Sequence, residues 1–317
     1  MEEWRLVADR FGVASTADLA RAGLGTSDAS SLVGRGELTR LARGWYALGV
    51  PATPERRHVL VTRAQLRAHE GRAVGAHHSG LLVMGLPTFR ADLSRVYLAR
   101  RTPGPTTCRP GLALGRAVPA EAQLDDTVVP ALAVVQHGLS SGAMSALVAA
   151  DAALHRRLLT SPDLATAVGW VHQHPKSAAV KAVLTLADGR RESPGETRLA
   201  YALHLMKVPA TPQFRVAAPG FTAFVDFLVD GENVIIEFDG KVKYGREADE
   251  PEPYSNRRSP KEVLWAEKTR EDRLRELGYE VVRVVWADLD DLAALAARIG
   301  AALRRARARR LASVRAR

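Results

Sequence analysis

Apolar residues in the first fifty positions recur at helical spacing and then switch to strict alternation. Trp4, Leu6, Val7 and Phe11 line one face of a first short helix. Ser15 or Thr16 caps ADLARAG, which ends at Gly23, and the stretch from Thr26 to Arg35 closes on Gly34 and Gly36. Both segments read as further short helices. ELTRLARGWYALG then alternates about Arg43-Gly44, as a hairpin does.

Beyond Pro51 the pattern is mainly helical. VLVTRAQLRAHEG and AVGAHHSGLLVMGLP predict two helices, SRVYLAR a short strand and TPGPTTCRPG a loop. Val134 to Leu159 and Leu164 to Val171 predict two more helices, ending near His172 and His174. Adjacent His77 and His78 do not share a helix face, so they read as structural rather than metal-binding. From Ser193 the pattern changes again. SPGETRLAYALHLMKV is a helix stopped by Pro209 and Pro212, and FTAFVDFLV and NVIIEFDG are strands joined by a turn at Asp230-Gly231-Glu232-Asn233. KEVLWAEKTREDRLRELG is a helix ending at Gly278, YEVVRVVW a strand, and a last helix starts at Asp288. The expected chain is a multidomain α+β and α/β protein. It has a winged helix-turn-helix over 1–50, a helix-rich middle over 51–191, an α/β domain over 192–297 and a basic tail over 298–317.

Composition narrows the class. The chain has 317 residues, 46% hydrophobic and 25% charged, which excludes wholesale disorder, collagen-like repeats and a pure coiled coil. One cysteine, Cys108, excludes an internal disulfide framework and a multi-cysteine zinc site. The charged N-terminus carries no apolar signal segment, and the longest charge-free stretch, Thr127 to Ala150, contains Pro130, Gln136 and His137. A cytoplasmic protein without a membrane span is expected.

The net charge of +10 is unevenly placed. Residues 1–50 hold six basic and six acidic side chains, residues 193–297 hold 14 basic and 19 acidic, and the tail from Arg298 holds eight arginines and no acid. Such a tail reads either as an arm attracting phosphate or as a solvated end. Arg35, Arg40 and Arg43 are candidate phosphate contacts in the first domain, and equally solvated wing residues. A nucleic acid, DNA rather than a membrane, is the expected partner.

The hairpin around Gly231 decides the chemistry. A two- or four-residue turn there sets Asp226 directly opposite Glu237, where side chains stand about 4.5–5.5 Å apart at Cβ. Alternation puts Asp239 on the face of Glu237. Three carboxylates within apolar strands repel one another unless something offsets them, and a hard divalent cation, Mg2+ or Mn2+, does so. The competing reading is a solvated sheet edge, which suits Asp230 and Glu232 better than Asp226 and Glu237. Glu196 has two readings as well. Ser193-Pro194-Gly195-Glu196 is a capping box at a helix start, and it also places an acid near the strands. Lys268, Arg270 and Arg273 either reach substrate phosphate or pair with acids along their own helix. Trp265 and Trp286 read as core.

These motifs carry two resemblances. LVGRGELTRLARGWYAL resembles the N-terminal domain of AbiEi-type antitoxins, and the middle region is loosely similar to the connecting region of that family. The resemblance implies DNA binding and a cognate toxin-like partner. VDFLV…VIIEFDGKVKYG, with SPGETRL before it and LWAEKTREDRLRELGYEVVRVVW after it, resembles a Vsr-like domain related to very-short-patch-repair endonucleases. That domain belongs to the PD-(D/E)XK superfamily, so the resemblance implies a restriction-endonuclease-like α/β fold and a Mg-dependent endodeoxyribonuclease-type hydrolase. Carried over, Asp226 and Glu237 are the metal acids and Glu196 the helix acid. Asp239 falls where the superfamily has lysine, and Lys241 is the candidate to orient water in its place. Lys243, Lys268 and Arg270 are candidates to hold the nucleic-acid backbone. The alternative is a non-catalytic DNA-binding regulator or antitoxin with a degenerate nuclease domain, favoured by the lysine missing at position 239.

Overall fold

The computed structural model describes residues 7–240 and 260–315, with the backbone alone at 260–264 and 313–315. The chain forms two compact units, Met1–Gly189 and Arg190–Arg317. The expected first two domains therefore share one unit, and the expected tail belongs to the other.

The first unit opens with β1 (Val13–Ser15), α1 (Thr16–Arg21), α2 (Thr26–Gly34), β2 (Leu38–Ala42) and β3 (Trp45–Leu48). Ser15 caps α1 as expected. Its hydroxyl accepts from Asp18 N at 3.1 Å, and the Asp18 carboxylate accepts from Ser15 N at 2.7 Å. The hairpin pairs Ala42 with Trp45 around Arg43-Gly44, again as expected. The sheet has a third strand that alternation did not announce. Val13 to Ser15 pairs antiparallel with β3, giving the order β1-β3-β2. Trp4 and Leu6 of the first expected helix lie outside the described residues, and residues 8–11 form a bend and a turn rather than a helix. Ala14, Leu19, Ala29, Leu32 and Leu38 close a small core beneath the sheet.

Helix α3 (Pro54–Ala68) joins this domain to the middle of the chain. Leu60 and Ala64 pack with Val13, Leu41 and Ala47, while Leu66 packs with Val96, Leu98 and Leu112. Its Arg67 binds Asp18 at 2.7 Å and the Val13 carbonyl at 2.7 Å. Then come β4 (Ala73–Gly75), α4 (His77–Val83), β5 (Val96–Arg100), β6 (Thr107–Arg109), β7 (Leu112–Ala117), α5 (Pro130–Ser141), α6 (Ala143–His155), α7 (Ser161–Trp170) and α8 (Ser177–Leu184). The middle is thus half sheet, ordered β4-β5-β7-β6, rather than helix-rich throughout. Residues Ala73 to Gly75 leave the expected helix because Gly75 N donates to Asp126 O and Val128 N to Gly75 O, which extends the pairing. The expected loop contains the exposed edge strand β6. The single helix expected from Val134 to Leu159 breaks at Gly142, whose φ of 101° suits glycine alone. Among the described residues no helix is long and apolar enough to cross a membrane.

The second unit runs α9 (Pro194–Leu205), β8 (Ala210–Ala218), β9 (Phe221–Val229), β10 (Val234–Phe238), α10 (Pro260–Glu276), β11 (Glu280–Val284) and α11 (Leu292–Arg315). Strands β8, β9 and β10 form an antiparallel meander, and β11 lies parallel to β10, giving the order β11-β10-β9-β8. A parallel neighbour requires a crossover, and α10 lies on it. Phe227, Val229, Val234 and Ile236 pack with Leu199 and Leu203 of α9 and with Leu295 and Ile299 of α11. Leu274 of α10 packs with Val216, Val225 and Ile235. Strand β8 was missed in the sequence. The arginine-rich end is helical rather than a loose arm, and residues 307–312 remain exposed. It continues α11, with Ala302 and Ala306 buried and Arg298, Arg305, Arg307 and Arg309 bound to Asp288, Glu280, Glu232 and Glu280.

Candidate functional site

The β9–β10 register is the one the turn predicts. Leu228 pairs with Ile235 and Phe227 with Ile236, so the next step along both strands is Asp226 and Glu237. There the ladder opens and Asp226 fills the gap, its Oδ2 accepting from Phe238 N at 2.7 Å. Burial pushes the Asp226 carboxyl up to about 6, helped by the nearby charges of Glu196 and Glu237 and opposed by the Phe238 bond and Arg270. Glu237 is 8% exposed, and its Oε1 accepts from Arg270 at 2.7 Å. Arg270 also donates to the Phe224 carbonyl at 2.7 Å. It thus leaves its helix neighbours for the sheet, whereas Arg273 and Arg275 keep helix partners in Glu276 and Glu271.

Glu196 arrives from the first turn of α9. Ser193 caps that helix by accepting from Glu196 N at 3.1 Å, but the return half of the expected box is shifted by one residue. The Glu196 carboxylate accepts from Glu192 N, at 3.0 Å, rather than from Ser193 N. A second bond to the same oxygen comes from a residue that sequence reasoning missed. Gln213 of β8 donates from Nε2 to Glu196 Oε2 at 3.1 Å. Only its amide and its place beside Pro212 were visible in the sequence. Gly195 is fixed by packing, because a Cβ there would lie 1.9 Å from the Phe238 ring.

Asp239 is half-buried with one oxygen 3.8 Å from Arg283, which also binds Glu267 and Glu271, each at 2.8 Å. It joins this arginine rather than the Asp226 group. Lys268 is exposed on α10. Lys241 and Lys243, with the rest of 241–259, lie outside the described residues. Trp265 is not core: it is 72% exposed. Trp286 is half-buried, edge-on to Phe238 at 4.9 Å.

Oxygen donors of this kind suit a hard dication such as Mg2+ or Mn2+. Asp226, Glu196 and Glu237 each have one oxygen tied by the bonds above and the other clear of hydrogen bonds among the described residues. As they stand, no three His, Cys, Asp or Glu side chains among the described residues are arranged to hold a metal ion. The donor chemistry fits; holding an ion requires the clear oxygens to turn toward one point.

In the first unit Arg35 is held by Glu37 at 2.6 Å and by Ser31 at 2.7 Å. Arg40 and Arg43 are exposed on the hairpin. Arg43 lines an open groove of about 690 Å³ with Arg57 of α3 and Arg109 of β6. Its floor includes Trp45, Val61 and Leu112, and no acid lines it. Neither Arg57 nor Arg109 had been singled out in the sequence, because only the fold brings them beside the hairpin.

Short helices followed by a β-hairpin, with Arg43 at its tip, give this segment a winged-helix-like form. Residues 5–49 match the family model described as "Transcriptional regulator, AbiEi antitoxin". The N-terminal segment is accordingly similar to the DNA-binding regulator domain of AbiEi-type antitoxins. No curated protein matches the chain closely enough to count as a relative.

Proposed function

We propose that the chain couples this regulator domain to a second unit that hydrolyses nucleic-acid phosphodiester bonds with the aid of Mg2+ or Mn2+. The observation that carries the reading is the β9–β10 register, which puts Asp226 and Glu237 at one step of the hairpin while α9 delivers Glu196 beside them. The helix, meander, helix and parallel strand of this unit support it, because that order agrees with the nuclease resemblance. Glu196, Asp226 and Glu237 would hold the ion. Once bound, such an ion supplies charge for the phosphoryl oxygen and a water of lowered pKa. Arg270 orients Glu237 through its 2.7 Å bond, and by its charge it favours an anionic substrate. Lys241 carries the water-orienting role that the resemblance implies. On the regulator side, Arg43, Arg57 and Arg109 provide an acid-free strip for DNA phosphates.

The Arg270–Glu237 pair also favours a second reading, in which an internal cation replaces the metal and the unit serves binding alone. Calorimetric titration with MgCl2 and MnCl2, with nicking assays on plasmid DNA, separates the two. Saturable metal binding and nicking, both lost in Asp226→Ala and Glu237→Gln, support hydrolysis. DNA binding with neither metal uptake nor nicking establishes the regulator alone.

A further inference from the structure

Gln213 sits in the middle of β8 with a φ of 48°, a left-handed backbone that glutamine adopts at a cost. The strand is otherwise regular around it. Pro212 pairs with Phe227 and Phe214 with Val225, so Gln213 faces Asp226 across the ladder. The twist of one residue aims its amide at α9, where Nε2 donates to Glu196 Oε2 at 3.1 Å. Glu196 is 7% exposed, and the same oxygen takes the Glu192 amide, so this oxygen is fixed from two sides.

We infer that Gln213 is a positioning residue that commits one oxygen of Glu196 to structure and leaves the other for chemistry beside Asp226. The inference rests on the metal-dependent reading of this site. It also reconciles the two readings of Glu196. A carboxylate has two oxygens: Oε2 does the work of a helix-start cap, and Oε1 stays clear of hydrogen bonds among the described residues. An amide suits the task because it donates without adding charge beside three acids. Partners that orient a metal-binding carboxylate typically change metal affinity by 10–100-fold when removed.

The test uses the full chain and two variants, Gln213→Gly and Gln213→Asn. Both residues accept the left-handed backbone, and neither brings an amide as far as Glu196. A merely structural Gln213 would lower the melting temperature on removal. A positioning Gln213 at a strained backbone gives a different split: Gln213→Gly melts at or above the wild-type temperature, while Mn2+ affinity by calorimetry falls about tenfold or more. Unchanged Mn2+ affinity in both variants, or a lowered melting temperature with unchanged affinity, overturns the inference. If the wild-type chain takes up no Mn2+ or Mg2+, the hydrolytic reading fails by itself. Crystal structures of wild type and Gln213→Gly then decide the positioning role. A Glu196 carboxylate released from Glu192 N in the variant supports it, and an unmoved one overturns it.

Discussion

Each unit buries a cluster of ionisable groups, and the two clusters are tolerated by opposite means. In the first unit His58 of α3, His78 of α4 and His137 of α5 stack in the core, with ring centroids 5.0 Å and 5.9 Å apart. Burial drives His78 and His137 down to about 4, with His58 and His78 as the next causes, so these rings are neutral near pH 7. They escape the cost of buried charge by shedding their protons. In the second unit Asp226 has no such exit at neutral pH. Asp226 rises only to about 6 and is largely ionised at pH 7, beside Glu237 held by Arg270. A cluster that can neutralise itself belongs to a core, whereas one that stays charged at a cost stores free energy a ligand can release. The histidines fit the structural part expected of His77 and His78, and the acids fit a site.

The largest effect that would sharpen this contrast is on activity. Asp226→Asn keeps the shape and the acceptor for Phe238 N but removes the charge. Metal-dependent nicking is expected to fall by about 100-fold or more, while the metal-free protein gains on the order of 1–3 kcal/mol at pH 7. Nicking assays and urea melts measure the two halves. An Asp226→Asn protein that is no more stable than wild type would remove the claim of stored cost.

Packing beside the acids gives the next effect. Gly195 lies against the Phe238 ring so closely that an added methyl, 1.9 Å from a ring carbon, has to move one of them. Gly195→Ala is expected to cost about 1–3 kcal/mol or more and to shift Glu196, the adjacent residue. No comparable penalty is expected at Gly34, where a Cβ meets nothing within 4 Å. Melting curves of both variants check this.

Acid titration should drive the two clusters in opposite directions. His78 and His137 have folded pKa values below the unfolded value, so the unfolded chain binds more protons as pH falls below about 6.5, and the first unit loses stability toward pH 4. Asp92 is the nearby acid that opposes the fall at His78, and His137 has both ring nitrogens buried without a hydrogen bond. The loss is on the order of 3 kcal/mol for each of the two histidines by pH 4. Asp226 has a raised folded pKa, so its contribution is fullest below about pH 4 and is lost as pH rises through 6. Hydrogen exchange corrected for intrinsic rates, compared at pH 5 and 7, should weaken protection in the first unit at pH 5 and strengthen it around β9 and β10. Equal slopes in both units would break the comparison.

Legibility followed the range of the interactions. The Ser15 and Ser193 caps and the Arg43-Gly44 turn are local, and the sequence carried them. The register of Asp226 and Glu237 is long in effect but local in cause, because a short turn and alternation fix it. Strand β8 was hidden by Pro212 and by the left-handed Gln213, both of which break a strand pattern. The middle sheet was hidden because β4 has three residues and β6 is wholly exposed, so neither alternates. Arg270 had acids within reach on its own helix, and only tertiary placement shows that Glu237 wins. Trp265 looked like core by composition, yet its face of α10 is exposed.

The smallest expected effect tests whether the first unit, whose buried histidine cluster is neutral, does its work with exposed charge instead. Arg43, Arg57 and Arg109 line one groove without an acid, and among the described residues Arg57 is held by a 3.3 Å bond to the Arg40 carbonyl. If the groove tracks a DNA backbone, Arg57→Ala or Arg109→Ala weakens binding uniformly across sequences by a few-fold. Each also lowers the slope of log affinity against log salt by about one. Arg35→Ala, already tied to Glu37 and Ser31, should change that slope little. Fluorescence anisotropy over a salt series reads both quantities. A full slope retained in Arg57→Ala and Arg109→Ala would confine DNA contact to residues 5–49 and leave the groove outside it.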